Sequence, residues 1–217
     1  MNERKLTPVI HVKSQEQAFR NIEISIDAGI NLCWLIGHNI DNLELIKIAH
    51  KAKQKYYNIL IGINCLGMSY DDVSIFASSI DYVWTDNCYA EPRESGIKRN
   101  HRYFGGIAFK YQNPRFSLED DCVNALGFVD VITTSGDATG SPPTLDKIKK
   151  IYEYVNPAPV AIASGIDENN IEQFLPYVEY YLVATGISKN WHELDPDKLK
   201  KLQDIITDFN YKNVWCI

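Results

Sequence analysis

Apolar residues along this chain fall into short continuous runs, separated by longer segments in which they recur every three or four positions. Eight runs are rich in β-branched or aromatic residues and bounded by Gly, Pro, Asn or Asp: Pro8–Val12, Asn31–Ile36, Ile59–Ile63, Tyr82–Thr85, Tyr103–Phe109, Val129–Thr133, Pro159–Ala163 and Tyr180–Ala184. Runs of this length and composition read as strands. The segments between them carry helix starts and apolar stripes. Ser14-x-x-Gln17 resembles a capping box ahead of Phe19, Ile22 and Ile26, and Gly29 closes that helix. Ser69-x-x-Asp72 precedes Val73, Phe76, Ala77 and Ile80, and Ser117-x-x-Asp120 precedes Cys122, Ala125 and Leu126. Pro143 suits the first turn of a helix running through Leu145, Ile148, Tyr152 and Val155. Asp167 is placed to cap a helix bearing Ile171, Phe174, Leu175 and Val178, and Asp195-Pro196 opens the last one, with Leu199, Leu202, Ile206 and Phe209 on one face. The weak unit is Cys88–Arg102, which is polar, basic and loosely periodic.

Strands alternating with single helices imply right-handed crossovers and a parallel sheet. Eight units in 217 residues leave about 27 residues each, near the minimum for a (β/α)8 TIM barrel. The competing doubly wound sheet usually places a Gly-rich turn after its first strand. Here that strand leads into His11-Val12-Lys13-Ser14, so the barrel is preferred. No linker or composition shift divides the chain, which reads as one compact α/β domain with its core at about 7–209 and a tail at 210–217.

Composition narrows the class further. With 45% hydrophobic and 23% charged residues, the chain is neither disordered nor a disulfide framework. No run approaches the ~18 apolar residues of a membrane span, and residues 1–6 lack a signal-peptide apolar core. Five scattered cysteines, none in a CxxC pair, read as reduced thiols of a cytoplasmic protein. A formal charge of −6 argues against nucleic acid as a partner. A homo-oligomer is compatible with the chain, which specifies no symmetry.

Barrels of this type bind ligands at the C-terminal ends of their strands. Read in order, those ends carry His11, His38-Asn39, Asn64, Asp86-Asn87, Lys110, Thr133-Thr134-Ser135, Ser164 and Thr185. Loops are polar in any case and several of these residues can be helix caps, but His, Asp and Lys are also the groups of proton transfer and nucleophilic chemistry. After strands seven and eight come Ala163-Ser164-Gly165-Ile166 and Ala184-Thr185-Gly186-Ile187, where small residues suit a phosphate. Ser164, Gly165, Thr185 and Gly186 are therefore the candidate phosphate ligands, unless the two glycines merely turn the chain. The loop Thr133–Gly140 suits a flexible clamp, with Thr134, Ser135, Gly136 and Asp137 as substrate contacts alongside His38, Asn64 and Asn87.

Strand alternation in Gly105–Lys110 places Gly106, Ala108 and Lys110 inward and Ile107 and Phe109 toward the helices. Lys110 then binds an anion or forms a Schiff base, with electrostatic binding preferred and a snorkelling surface lysine as the plain alternative. Asp86 is the candidate acid–base and His11 the third candidate catalytic residue. Without HxH or HExxH spacing no metal is called for, and no cofactor is implied. His50, His101 and His192 read as surface residues. The basic stretch Pro92–Arg115 (Arg93, Lys98, Arg99, Arg102, Lys110 and Arg115 against Glu94) is either a solvated face or a steering patch over the mouth.

The strings TTSGDATGSPPTLDKI, PVAIASGIDENNIEQFLPYVEYYLVATGISK and ELDPDKL resemble the BtpA/SgcQ family, and YFGGIAFKYQ with VWTDN resembles its phosphoribosyltransferase-like subgroup. The resemblance runs from about Thr7 to Leu202. It implies a barrel of the phosphate-binding kind, related in architecture to phosphoribosylanthranilate isomerase and thiamine phosphate synthase. It also implies links to photosystem I biogenesis in cyanobacteria and to sugar-related gene clusters, and leaves the reaction open. Two functions follow. One is an enzyme, such as a transferase, isomerase or lyase, acting on a small phosphorylated metabolite (a phosphosugar or phosphoribosyl compound). The other is a non-catalytic assembly factor or metabolite-sensing partner, for which the apolar tail Tyr211–Ile217 offers a docking segment.

Overall fold

A computed structural model describes residues 3–88, 101–112 and 116–214 of the chain. Eight parallel strands close into a barrel in sequence order: β1 (Lys5–His11), β2 (Leu32–Ile36), β3 (Leu60–Asn64), β4 (Tyr82–Thr85), β5 (Arg102–Gly106), β6 (Val131–Thr134), β7 (Val160–Ile162) and β8 (Tyr180–Val183). The ring is completed by β8 pairing with β1, with Pro8 opposite Val183. Among the described residues, six α-helices surround it: α1 (Gln15–Asp27), α2 (Asn42–Lys55), α3 (Tyr70–Phe76), α4 (Leu118–Ala125), α5 (Leu145–Val155) and α6 (Pro196–Val214). The chain is a compact (β/α)8 TIM barrel.

Two apolar layers follow from the period of two along each strand. One parity (Ile10, Cys33, Leu35, Ile61, Ile63, Val83) packs under the helices. The other (Val9, Leu32, Trp34, Trp84, Phe104, Leu182) fills the barrel interior. Trp34 occupies the middle of that interior because Gly62, its register partner on β3, leaves the room: a Cβ there would lie 2.3 Å from the indole. The indole N–H donates to Thr7 Oγ1 at 3.1 Å, which satisfies the one polar atom the ring brings inside.

Helix starts are largely those the polar pattern predicts. Ser69 and Asp72 form a reciprocal capping box on α3, and Ser117 accepts from Asp120 N at the head of α4. Asp195 Oδ1 accepts from Asp197 N and Lys198 N at the head of α6. At α1, Ser14 accepts from Gln17 N, but Gln17 Oε1 turns to Lys13 N instead of completing the box. The α5 cap is Thr144, so Pro143 sits just outside the first turn. The helix expected after Asp167 is a single 3-10 turn, Ile171–Phe174, because Asp167 Oδ1 caps the nearer N–H of Asn169 and the chain reaches β8 within six residues of that turn. The last helix runs through residue 214, so positions 210–214 continue it.

The largest departure is at β5. The strand ends at Gly106, not Phe109, because Ala108 adopts a left-handed backbone (φ 42°) and turns the chain across the mouth. Ile107 stays in the outer layer, but Phe109 joins the interior cluster above Trp84, 6.1 Å between ring centroids. The interior below Lys110 is therefore aromatic, and the expectation of small residues there is corrected. Residues 89–100 and 113–115, which include Arg93, Glu94, Lys98, Arg99 and Arg115, lie outside the described residues, as do 215–217 of the tail. Arg102 does not steer ligands to the mouth: it opens β5 at the opposite end of the barrel, over the Tyr180 ring. Among the described residues, no helix is long and apolar enough to cross a membrane.

Candidate active site at the barrel mouth

In a closed eight-stranded ring β1 faces β5 and β4 faces β8, so the strand ends divide the mouth into sectors. The interior parity, continued two residues past its last apolar member, delivers the polar groups. Thr7 and Val9 lead to His11, Trp34 and Ile36 to His38, Gly62 to Asn64, and Tyr82 and Trp84 to Asp86. A cavity of about 240 Å³ opens over them. Seven of the expected residues line it: His11, His38, Asp86, Lys110, Ser164, Gly165 and Thr185.

Asp86 is partly buried, and burial raises its carboxyl above the usual carboxylate range. A hydrogen bond from Asn64 Nδ2 to Oδ1 (2.9 Å) and the positive potential of Lys110 and His38 oppose that rise. His11 is buried, and its imidazole is pushed down to about 4, first by burial and then by His38, with Lys110 and His192 adding to the effect. It is neutral at pH 7. Its Nδ1 lies 3.1 Å from the carbonyl oxygen of Trp191, so Nδ1 carries the proton and Nε2 keeps a lone pair. Burial likewise lowers His38, with Lys110 second. The mouth thus holds a carboxyl whose ionisation burial disfavours, a neutral imidazole with a lone pair, and a lysine across from it, groups that general acid–base chemistry can use.

In the loops after β7 and β8, where a phosphate is expected, both glycines stand close to neighbouring chain. A Cβ on Gly165 (φ 65°) would lie 2.2 Å from Pro142 N, and one on Gly186 would lie 2.1 Å from Ile166 O. Both glycines let neighbouring loops touch. Gly186 itself does not line the cavity; Thr185 beside it does, at the start of the 3-10 turn Thr185–Ile187. Ser164 Oγ links the loops after β6 and β7, accepting from Gly140 N and donating to Ala138 O, each at 3.2 Å.

Several expected substrate contacts serve as supports instead. Asn64 is buried beneath Asp86. Asn87 has the opposite strand parity to Asp86, and its carbonyl accepts from Thr85 Oγ1. Thr134 is fully buried with its hydroxyl toward Ala108 O, and Ser135 Oγ accepts from Lys110 N at 2.8 Å, fixing the lysine's backbone. A Cβ on Gly136 would strike Ser141 O at 2.2 Å, so this stretch is packed against its own return and is not an open clamp. Asp137 is exposed outside the cavity and acts on Lys147 through its charge. Of that loop, Thr139 and Gly140 reach the cavity.

Three further residues at or beside the mouth carry weaker sequence signals. Trp191 lies on the polar stretch after the last strand, its ring 3.9 Å from that of His11 and tilted by 36°. His192, expected at the surface, is half-buried, and its Nδ1 donates to His11 O at 2.9 Å. Lys147, on the first turn of α5, donates to Ala108 O (2.5 Å) and Ser135 O (2.8 Å), tying together the loops that carry Lys110 and Thr139. A tryptophan among Lys, Asn, His and Glu was the available signal for the first; nothing local marks Lys147. His101, also expected at the surface, is buried against Ala77 O, and His50 bonds Ser79 and Phe76 O.

Comparison with known proteins gives the barrel its relatives. The sequence model of the BtpA family matches residues 107–208. An uncharacterized protein of Thermococcus kodakarensis is 23% identical over 198 residues, which take in 88% of this chain and 69% of that protein. The photosystem I biogenesis protein BtpA of Synechocystis is 38% identical over 64 residues, 30% of this chain and 22% of that protein. Among solved structures, phosphoribosyl anthranilate isomerase from Thermus thermophilus superposes with a TM-score of 0.68 at 13% identity, covering 94% of this chain and 99% of its own. A KDPG aldolase of Legionella pneumophila, captured with pyruvate as a covalent carbinolamine, superposes with a TM-score of 0.62 at 18% identity over 96% of this chain and 93% of its own.

Proposed function

We propose, from the match of residues 107–208 to the BtpA family model and from the site described above, that the chain is an enzyme performing acid–base chemistry on a small phosphorylated metabolite, a phosphosugar or phosphoribosyl compound. The observation that supports this reading is the convergence of Asp86, Lys110 and His11 with Ser164, Gly165 and Thr185 on one cavity of about 240 Å³. The phosphate is held by the loops after β7 and β8 and drawn there by Lys110, the cation of this cavity. Phosphoribosyl anthranilate isomerase, which shares the fold, acts on a phosphoribosyl compound by its name.

The reacting carbon lies between Asp86 and His11. Proton transfer is shared between His11 Nε2 on one side and the Asp86 carboxyl on the other. Asn64 orients the carboxyl, and Lys110 stabilises negative charge developing on the substrate oxygen. That division of roles suits an isomerase and serves equally for a lyase or transferase whose leaving group needs protonation. Lys110 acts as an electrostatic group that binds the anion, in preference to Schiff-base chemistry.

The direct test is thermal unfolding with ribose 5-phosphate and related phosphosugars. A ligand at 100 times its Kd adds about 2.7 kcal/mol, which for a chain of this size raises Tm by about 5–10 °C. The shift is expected with the native chain and lost in Lys110→Ala. A chain indifferent to every phosphorylated compound and to inorganic phosphate is not such an enzyme.

A further inference from the structure

Trp191 is 42% exposed at the rim, yet the segment that carries it is held on all sides. Ser188 and Leu194 form an antiparallel bridge, Asn190 Oδ1 accepts from His192 N and Glu193 N, and Leu194 N donates to Asn21 Oδ1 at 2.7 Å. Asn21 Nδ2 in turn donates to His192 O at 2.9 Å, and Arg20 pairs with Glu193 at 2.7 Å. A large aromatic side chain held rigidly and left open to solvent loses little entropy on binding and offers a preformed contact surface.

What stands around it restricts what it can contact. Its ring lies 3.9 Å from that of His11 and 5.3 Å from that of His38, so the β8–β1–β2 sector is a wall of three flat side chains. The floor below is Val9, Ile36, Leu182 and Trp84. Most hydrogen-bonding side chains that a sugar's hydroxyls need stand in the other sector, Asp86, Lys110 and Thr139, while Ser164 and, in the Trp191 sector, Thr185 are those assigned above to the phosphate. On the Trp191 side, His11 Nδ1 and the Trp191 carbonyl are committed to each other, and so are His192 Nδ1 and the His11 carbonyl. Burial disfavours the charged form of both imidazoles, and Lys110 stands at the same mouth, so a cationic group is disfavoured there.

We infer that Trp191 sets the substrate specificity of this mouth by stacking on a flat aromatic ring, aryl or nucleobase, that the phosphorylated ligand carries beside its sugar or phosphate. Such a ring meets offset or tilted ring faces and an apolar floor, which is where its contacts are strongest. Trp191 also lines an adjoining cavity of about 250 Å³ on the side of Lys189 and Asn190, so there is room for a ring larger than the central cavity alone would take. This inference rests on the phosphate reading above and narrows its substrate class.

The test is calorimetric titration of the full chain with ribose 5-phosphate, adenosine 5′-monophosphate, phenyl phosphate and inorganic phosphate. A ring-bearing phosphate is expected to bind at least tenfold tighter than ribose 5-phosphate; which of the two does so distinguishes nucleobase from aryl. In Trp191→Ala that preference, read as the ratio of the two dissociation constants, disappears. Trp191→Phe keeps most of the preference and covers the case in which the alanine variant fails to fold. Equal affinity for ring-bearing and ring-free phosphates in the native chain, or a preference unchanged in both variants, overturns the role of Trp191 while leaving phosphate binding standing. No binding of any of the four overturns the phosphate reading and this one with it.

Discussion

Asn64 Nδ2 donates to Asp86 Oδ1 across 2.9 Å, from the last residue of β3 to the first beyond β4. Asn64 is buried and Asp86 partly so. The amide therefore does two things for the carboxylate: it fixes the rotamer, and it returns part of the solvation that burial removes.

Because burial holds the Asp86 carboxyl above its unfolded value, its contribution to stability is fully present below the unfolded pKa of about 3.9 and is lost as pH rises through the folded value. Asp86→Asn removes that loss while keeping the shape and an acceptor for Asn64. It is expected to be more stable than the native chain at pH 7 by about 0.5–2 kcal/mol, equal to it below pH 4, and less active by about 10²–10⁴-fold. Urea unfolding at the two pH values reads the first two outcomes and turnover the third. Asn64→Ala is expected to move the Asp86 titration to higher pH, which carboxyl NMR follows directly.

His11 behaves oppositely. Its folded imidazole is pushed down from the usual 6.5 to about 4, so the unfolded chain takes up a proton between these values and the folded chain does not. The stability it supports is complete above pH 6.5 and falls as pH drops toward 4, by on the order of 3 kcal/mol if the whole gap is expressed. His11→Gln keeps a donor for Trp191 O and removes the titration. The urea midpoint of the native chain is expected to decline between pH 6.5 and 4 more steeply than that of the variant; parallel curves would refute the assignment.

Much of this site is legible in the residue pattern, and the remainder is not, for physical reasons. The period of two that makes a strand also decides which residue past its end looks into the mouth, so His11, His38, Asn64 and Asp86 can be read from Val9, Ile36, Gly62 and Trp84. The rule fails where the backbone leaves the strand. Ala108 and Tyr111 take left-handed conformations (φ 42° and 63°) that cost about 1–2 kcal/mol each for residues with a Cβ. Neither residue type announces such a turn, so the inward placement of Phe109 could not be foreseen. Gly165 and Gly186 illustrate a second limit: a glycine's position signals that something comes close, but not whether it is an anion or another loop. Lys147 illustrates a third, because its partners Ala108 O and Ser135 O are main-chain atoms, which leave no trace in residue identity.

Lys147 carries the next prediction. Its ammonium ties together the loops after β5 and β6 without entering the cavity, and burial holds its pKa below the usual lysine value. Lys147→Met keeps most of the stem's packing and leaves two carbonyls without their charged donor. A loss of about 2–3 kcal/mol in stability is expected, with weaker ligand binding because Lys110 hangs from the same loop. If ligand affinity is unchanged while stability falls, the loops are positioned by other contacts.

Two left-handed glycines in the loops after β6 and β7 separate conformational strain from steric exclusion. Gly140 (φ 81°) has nothing within 4 Å of the place a Cβ would take, so Gly140→Ala pays only for its backbone, about 1 kcal/mol. Gly165 (φ 65°) has similar backbone strain, but its Cβ would also lie 2.2 Å from Pro142 N and 2.3 Å from Ser141 C, main-chain atoms that cannot turn aside. Gly165→Ala must push the loop after β6 away from the loop after β7, adding overpacking of about 1–3 kcal/mol to the strain. It is also expected to weaken phosphate binding, because Ser164 holds both loops in register through Gly140 N and Ala138 O. Urea unfolding of the two variants, with ribose 5-phosphate titrations of each, makes the comparison. Equal destabilisation would mean that the loops separate freely, and the mouth would then be a pliable ring rather than a preformed site.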